Sequence, residues 1–550
     1  MAYWGPEPPE VADLGTALGL TKAKPQLRNL KAPPPFWYPL GQLSWIMNTS
    51  ESPRYNMRLP KIIQGGMGAA VSDWRLAKSV SKTGQLGVVS GTALDCVIAR
   101  RLQVGDIGGH VRRALDAFPV REIADRIRER YFIPGGKSDD QPFKAVPMLT
   151  LKPVMHHIEL IVAANFVEVF LAKEKHDGIV GINYLEKIQL PNLPSIFGAM
   201  LAGANCIIMG AGIPRAIPGV MDQLAKGEPV ELSINLANAD VGQKIFTTFD
   251  PSEIFGDAVP TLNRPFFLAI VSSAPLASML ARKASGHVDG FIIESPVAGG
   301  HNAPPRGAME LNAEGEPIYG ERDVVDLEAM RKLGRPFYLA GGVASPKGLK
   351  DALAEGAAGI QVGTVFAFCN ESGLGAGHKA RVLARFHDEN AEAPIVRTDP
   401  LASPTGFPFK VLPLTKTMAH AESSDARPRL CDLGYLRQAY NRGEGKIGYR
   451  CPSEPVDHFL KKGGDIEATK GRLCVCNGLM ATVNMGQTRK DGYREDPLIT
   501  SGDGLEGIRQ FLQPGAKTYA SADVVAGLLI GQPAGSSTGD AVSSSELAGA

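Results

Sequence analysis

Short, almost continuously apolar runs recur along the middle of the chain, and each is followed by a turn and then by a helical pattern. Such runs are typical of parallel strands that are covered on both faces. Eight of them are present, so we expect eight parallel strands. They lie at residues 61–65, 86–90, 179–184, 206–210, 266–271, 289–294, 337–340 and 359–363.

The segments between these runs carry the start and stop signals of helices. Ser345 and Pro346 open one helix, which closes before Gly356. This is the expected order of an N-cap, a first-turn proline and a terminal glycine. Residues 273–286 and 323–334 read in the same way. Strand and helix alternating at this rhythm predict right-handed βα units, and eight such units predict a (β/α)₈ TIM barrel. An open, doubly wound sheet is the alternative.

Other stretches depart from this rhythm, and we interpret them as additions to the barrel. A basic and acidic helix at Val120–Tyr131 and an amphipathic helix around Val154–Lys173 fall in one of them, and a strand-like segment at Val230–Leu236 falls in another. After residue 395 the pattern dissolves into loops and short helices. The predicted organisation is an irregular arm at 1–58, a barrel at 59–394 with insertions at about 105–178 and 230–264, a C-terminal cap at 395–531 and a disordered tail at 532–550.

Composition narrows the classes of function. The formal net charge is +1 and no basic block occurs, which argues against a protein that binds nucleic acid or a membrane surface. No apolar run approaches the roughly 20 residues of a membrane span, and no signal peptide is visible. The seven cysteines are few for 550 residues and favour reduced thiols in the cytoplasm.

Chemistry in a barrel of this kind comes from the C-terminal ends of the strands. The last two strands end in small residues, which expose backbone N–H groups beside the start of a helix and so favour a bound phosphate. The first strand ends in glycines that allow a planar ligand to approach the backbone, beside a methionine that can contact a ring. The three turns are Gln64-Gly65-Gly66-Met67, Ala340-Gly341-Gly342 and Val362-Gly363-Thr364.

Two polar residues at strand ends are candidates for contact with a substrate or cofactor. His301 follows Gly299-Gly300 after the sixth predicted strand. An imidazole carried there can approach a substrate closely and transfer a proton near neutral pH. Asn183 lies near the end of the third strand and offers both an amide donor and an acceptor.

We expect no metal site. Cys474 and Cys476 form a C-x-C pair, whereas structural zinc sites use C-x₂₋₄-C pairs, and no matching second pair exists. The pattern leaves the roles of Cys431 and Cys451 open. The adjacent His156 and His157 would point to different faces of a helix and are poor metal ligands.

Several segments, in order, resemble the nitronate monooxygenase (2-nitropropane dioxygenase) family of FMN-dependent barrels. The resemblance spans about residues 60–370, and the long insertions and C-terminal part resemble a longer branch near the trans-acting enoyl reductases. The segments that carry it are Ile62-Ile63-Gln64-Gly65-Gly66-Met67-Gly68, Gly181-Ile182-Asn183-Tyr184, Ala298-Gly299-Gly300-His301, Ala340-Gly341-Gly342 and Gly359-Ile360-Gln361-Val362-Gly363-Thr364.

The resemblance implies a role for each of these residues. His301 matches the catalytic histidine, Asn183 an FMN contact, and the turns at 341–342 and 363–364 the phosphate site, while the turn at 64–67 would lie along the flavin. The long polar loop at 302–320 departs from simple members of the family, so we expect a remodelled substrate pocket.

The implied activity is FMN-dependent oxidation of alkyl nitronates with O₂. The alternative is FMN-dependent reduction of enoyl thioesters on an acyl carrier protein, in polyketide or polyunsaturated fatty-acid synthesis. Two other readings stay open: a non-catalytic barrel without cofactor, and a phosphate-binding barrel of the inosine-monophosphate dehydrogenase type. The latter needs a nucleophilic cysteine in a loop at the barrel mouth, and Cys96, Cys206 and Cys369 do not lie in suitable loops.

Overall fold

The computed structural model describes residues 57–386, 394–513 and 515–531. Nearly all of the predicted N-terminal arm and the whole predicted tail at 532–550 lie outside the described residues. The strands are β1 Ile62–Gln64, β2 Gly87–Ser90, β3 Val180–Leu185, β4 Cys206–Gly210, β5 Val230–Ile234, β6 Leu236–Ala237, β7 Ile245–Phe249, β8 Phe266–Val271, β9 Gly290–Glu294, β10 Phe337–Ala340, β11 Gly359–Val362, β12 Arg397–Asp399, β13 Phe409–Val411, β14 Gln438–Asn441 and β15 Ile447–Arg450.

Helices follow most of these strands and also occupy the connecting segments. They are α1 Trp74–Ser81, α2 Leu94–Gln103, α3 His110–Asp116, α4 Arg121–Tyr131, α5 Met155–Lys173, α6 Asn192–Leu201, α7 Ile217–Ala225, α8 Ser252–Phe255, α9 Ala274–Lys283, α10 Leu327–Lys332, α11 Pro346–Ala354, α12 Thr364–Ala367, α13 Ala376–Leu383, α14 Ala421–Ala426, α15 Val456–Lys461, α16 Val475–Thr482 and α17 Ser521–Ile530.

The eight predicted strands form one parallel sheet that closes on itself. The strand order is β1-β11-β10-β9-β8-β4-β3-β2. A parallel bridge from Ile63 to Leu86 joins the two ends. The predicted (β/α)₈ barrel is therefore confirmed, and the open doubly wound sheet is excluded. Apolar side chains fill the inside of the barrel, among them Val88, Ile208, Leu268 and Ile292.

The predicted helix signals set the starts of two barrel helices. Ser273 caps α9 by accepting from the Leu276 N–H at 3.2 Å, and Ser345 caps α11 by accepting from the Gly348 N–H at 2.9 Å. The helix expected over 323–334 begins later than predicted, at Leu327. The Asp326 carboxylate caps it instead, accepting from the Ala329 N–H at 3.0 Å. Residues 321–323 form a separate short 3₁₀ turn.

Helix α5 is not amphipathic, contrary to the sequence prediction. Fifteen of its nineteen residues are buried, because it packs against α1, α2 and α6. By length and composition alone it could cross a membrane, although no apolar run of that kind was expected, and 83% of the apolar window is buried within the fold. Its buried carboxylate at Glu168 is paired with Arg101 from α2 and accepts from the Trp74 N–H at 3.0 Å.

Residues after β11 leave the barrel and return to it. The segment from about 397 to 511 holds two short β pairings, β12 with β13 and β14 with β15, and β14 also pairs with β6 at Leu236–Ala237. Helix α17 then packs against α1 and α11, so it fills the position between the first and last helices of the ring. The cap is consequently anchored to the barrel at both of its ends.

Candidate active site

A cavity of about 480 Å³ lies at the C-terminal ends of the barrel strands, beneath the cap. This volume is in the usual range of small-molecule and cofactor sites. All but one of the residues singled out in the sequence line it, namely Gly65, Gly66, Met67, Asn183, Gly300, His301, Ala340, Gly341, Gly342, Val362, Gly363 and Thr364.

Gln64 is the exception, and its side chain has a structural role. It is fully buried. Its amide nitrogen donates to the Ser72 hydroxyl at 2.9 Å, and its carbonyl accepts from the Val88 N–H at 2.9 Å. Gln64 therefore holds the first turn in place without lining the cavity. A Cβ at Gly66 would lie 2.5 Å from the Cβ of Asn183, which explains why this turn needs glycine.

The two turns predicted to hold a phosphate lie side by side, because β10 and β11 are neighbours in the sheet. Gly341 and Gly342 have φ of 91° and 73°, a region that favours glycine. Gly363 has φ of −113° and caps the short helix α12. A Cβ on Gly363 would meet Met67 Sδ at 3.4 Å and would otherwise face open space. The backbone at Gly363 is therefore open to a ligand, whereas a Cβ at Gly341 would clash with the Ser295 hydroxyl oxygen.

His301 lies on the wall of the cavity, where the barrel meets the cap. Its Nε2 is 2.7 Å from the hydroxyl of Ser403, and its ring lies 4.6 Å from that of Phe409. Burial, with a smaller contribution from Lys187, lowers the pKa of His301 to about 4. The imidazole is therefore neutral at physiological pH, so it can accept a proton or donate one hydrogen bond.

Glu294 is a second titratable group in the cavity, and sequence reasoning missed it as a site residue. It is the last residue of β9 and pairs in register with Ala340. Burial raises the pKa of Glu294 to about 8, so the side chain is mostly a neutral carboxylic acid at pH 7. The signal in the sequence was a single charged residue at the end of an apolar strand.

The cap supplies a smaller part of the lining, which the sequence did not predict in detail. Thr500 accepts from the Gly300 N–H at 3.2 Å, and the Gly502 N–H donates to the Thr364 hydroxyl at 3.0 Å. The cap thus meets both the histidine loop and the predicted phosphate turn. Its apolar contributions to the cavity wall are Leu436, Val475, Leu479 and Ile499.

One cysteine lines the cavity, and its environment disfavours a nucleophilic role. Cys96, Cys206 and Cys369 are buried away from it, and only Cys476 reaches the wall. Burial raises the pKa of Cys476 well above its ordinary range. Because a thiol attacks as its thiolate, this protonated group does not suit the chemistry of the inosine-monophosphate dehydrogenase type.

Comparison with known proteins agrees with the barrel part of this site. Residues 236–391 match the nitronate monooxygenase family, a segment that contains His301, Glu294 and both predicted phosphate turns. A probable nitronate monooxygenase of Bacillus subtilis (strain 168) is 34% identical over 137 residues, which cover 25% of this chain and 37% of that protein. The resemblance found in the sequence is confirmed for this segment. The match spans little more than a third of the relative's length.

Two of the solved structures that match this chain come from Thermotoga maritima and Streptomyces ansochromogenes. FabK from Thermotoga maritima matches with a TM-score of 0.35 and 17% identity, over 66% of this chain and 74% of that one. Nitroalkane oxidase from Streptomyces ansochromogenes matches with a TM-score of 0.37 and 14% identity, over 77% of this chain and 94% of that one. Because these scores are low, the fold assignment here rests on the strand order.

Proposed function

We propose that the chain is an FMN-dependent oxidoreductase that oxidises alkyl nitronates with O₂. One observation carries the proposal: His301 and the two glycine turns face a single cavity, and they lie within the segment that matches the nitronate monooxygenase family. Bound FMN would supply the redox chemistry, while the protein orients the reactants.

The cavity fits the parts of FMN. Gly342 leads into α11, whose N-terminal N–H groups favour an anion, and Gly363 leaves room beside Met67. These turns would hold the phosphate. Gly65, Gly66 and Asn183 also line the cavity, with the Gly65 N–H donating to the Val362 carbonyl at 2.8 Å, and they would contact the ring system. A phosphate held by backbone N–H groups at one place also agrees with a net charge of only +1.

His301 would act on the substrate as a neutral imidazole. Its lowered pKa leaves it unprotonated at pH 7, so it can remove the acidic proton beside a nitro group. An anion bound next to it would favour the imidazolium and raise its pKa. The hydroxyl of Ser403, 2.7 Å from Nε2, fixes the ring orientation. Phe409 covers the ring and keeps water from that face.

Turnover and a histidine variant test this proposal together. Purified protein should show the absorption of bound flavin and should consume O₂ with propionate 3-nitronate. His301→Ala should retain FMN and, with the parent nitroalkane 3-nitropropionate, from which a proton must be removed, should lower the rate by roughly 10²–10⁴-fold, the usual contribution of a general acid or base. His458→Ala, which changes an exposed histidine in α15, is the matched control. Equal rates for wild type and His301→Ala would remove the proposed role of this residue, and colourless protein without flavin would favour the non-catalytic barrel.

The second candidate is an FMN-dependent, trans-acting enoyl reductase that acts on acyl carrier protein. Two features favour it: the cap lines the cavity with apolar side chains that suit an acyl chain, and Glu294 is a neutral acid able to donate a proton. NAD(P)H oxidation with an enoyl thioester, without nitronate oxidation, would reverse the order of the two proposals.

A further inference from the structure

Four cysteines of the cap surround a second, small cavity: Cys431, Cys451, Cys474 and Cys476. We refer to them as the cysteine ring. Cys431 lies before β14, Cys451 follows β15, and the other two begin α16. All seven cysteines of the chain are free thiols, and four of them meet at this one point although they are far apart in sequence.

Hydrogen bonds hold the loops that carry the cysteine ring. The Ser453 hydroxyl, two residues after Cys451, donates to the Leu473 carbonyl at 2.7 Å. The Leu473 N–H in turn donates to the Ala402 carbonyl at 2.9 Å. The Cys451 N–H donates to the Glu454 carboxylate at 3.3 Å. Hydrogen bonds between these loops therefore hold the thiols near one another.

The cysteine ring places four sulfur side chains around one small cavity, and sulfur is the ligand type that soft metals prefer. Soft metals bind thiolates strongly enough to displace their protons, even at neutral pH.

We propose that the cysteine ring binds a metal centre through four thiolates, either a zinc ion or an iron–sulfur cluster. Both take four cysteines, and on binding each thiol loses its proton. Among the described residues no three such side chains already stand close enough to hold a bare ion. Binding would therefore draw the thiols inward, or bridging sulfides of a cluster would span the gap. Cys451-Pro452 matches the Cys-Pro pair that ends a bacterial cluster motif, whereas C-x-C is not the spacing of paired zinc ligands.

A metal centre in the cysteine ring would also affect the large cavity of the candidate active site. Cys476, Val475 and Leu436 line both the small cavity and the large one. A metal bound to the ring would fix this shared wall of the cap. Metal binding by the cysteine ring is independent of the substrate of the large cavity and of the flavin, and it is tested by measuring metal content.

The test begins with wild-type protein, purified without oxygen and analysed for zinc, iron and acid-labile sulfide. We expect either one zinc per chain or iron with an equal amount of sulfide and a visible absorption that flavin removal leaves in place. Titrating the native protein with a mercurial should release the metal in step with modification of four thiols. Protein that holds neither metal, or in which mass spectrometry finds the ring as disulfides, would overturn the proposal.

Two serine variants assign the metal to the ring. Cys451→Ser and Cys474→Ser should each lose most of the metal. Cys369→Ser is the matched control: it changes a buried thiol outside the ring, and its hydroxyl can still donate to the Phe366 carbonyl as the thiol does at 3.1 Å. Equal metal content in all three variants would place the metal elsewhere and refute the site. If the ring variants fail to fold, the mercurial titration of wild type decides alone.

Discussion

Replacing Glu294 by glutamine should remove a pH-dependent loss of stability. In the folded protein burial raises the pKa of Glu294 from its ordinary value of 4.5 to about 8. Between these two values the folded state keeps the proton that the unfolded state has already released. A group of this kind favours folding less and less as the pH rises, until the folded form also ionises. Glutamine has nearly the shape of the neutral acid and does not titrate.

The size of the effect follows from the shift. Each pH unit between the two pKa values costs about 1.4 kcal/mol of unfolding free energy, so the full shift corresponds to about 5 kcal/mol. Glu294 lines a cavity that water can enter, and water screens part of this cost. We therefore expect Glu294→Gln to gain about 2–3.5 kcal/mol over wild type as the pH rises from 5 to 8, and little more above that.

Urea unfolding, followed by fluorescence from about pH 5 to about pH 9, measures this difference. Any change in packing or hydrogen bonding caused by glutamine offsets the unfolding free energy of the variant from that of wild type by the same amount at every pH. Ionisation of Glu294 makes this difference grow with pH. Glu314→Gln, at an exposed loop position, is the control and should show no such growth. A separation that stays constant across the range would refute the assignment of a raised pKa to Glu294.

The remaining predictions concern cofactor binding and the core. Gly363→Val should weaken FMN binding about 100-fold, because a side chain there displaces phosphate contacts worth about 3 kcal/mol, while the backbone φ of −113° permits valine. The control Gly320→Val, at an open position outside the cavity, should bind FMN normally, and equal dissociation constants for the two variants in a fluorescence titration would contradict the phosphate site. Phe197→Ala should cost about 3–5 kcal/mol of unfolding free energy, since this ring is fully buried against Phe249 at 5.3 Å; denaturation curves that match wild type would contradict this.

Local pattern was enough to predict the barrel strands, because each strand is covered on both faces and so reads as an apolar run. It failed for α5. A helix that packs against α1, α2 and α6 is apolar on nearly every side. The sequence pattern suggested a polar face because it contains Glu168, but this side chain is buried and hydrogen-bonded. It also missed that α17 belongs to the ring, since a stretch of more than a hundred residues separates this helix from β11.

The candidate site could be predicted where glycine turns follow strands, and less well where side chains meet through folding. His301 stood out because it follows two glycines. Ser403, which lies 2.7 Å from its Nε2, is 102 residues away in the sequence and gave no signal. Gln64 shows the opposite error: it lies in the resembling motif, yet its amide is used within the first turn. The pKa of Glu294 depends on burial, which a strand-end glutamate does not reveal.

We expect the choice of substrate to depend on the cap, because the cap builds part of the cavity wall and is fixed in position. Tyr435 of the cap donates to Asp95, whose other oxygen lies 2.9 Å from Nε2 of His157 in α5. Gln487 accepts from the Phe143 N–H at 2.7 Å. These buried bonds, with α17 returning to the ring, make the cap a wall of the site and not a hinged cover. The family match ends at residue 391, before this wall begins. The match to nitronate monooxygenases therefore covers His301 and the two glycine turns, and under the proposed function the far end of the substrate would meet residues that belong to the cap.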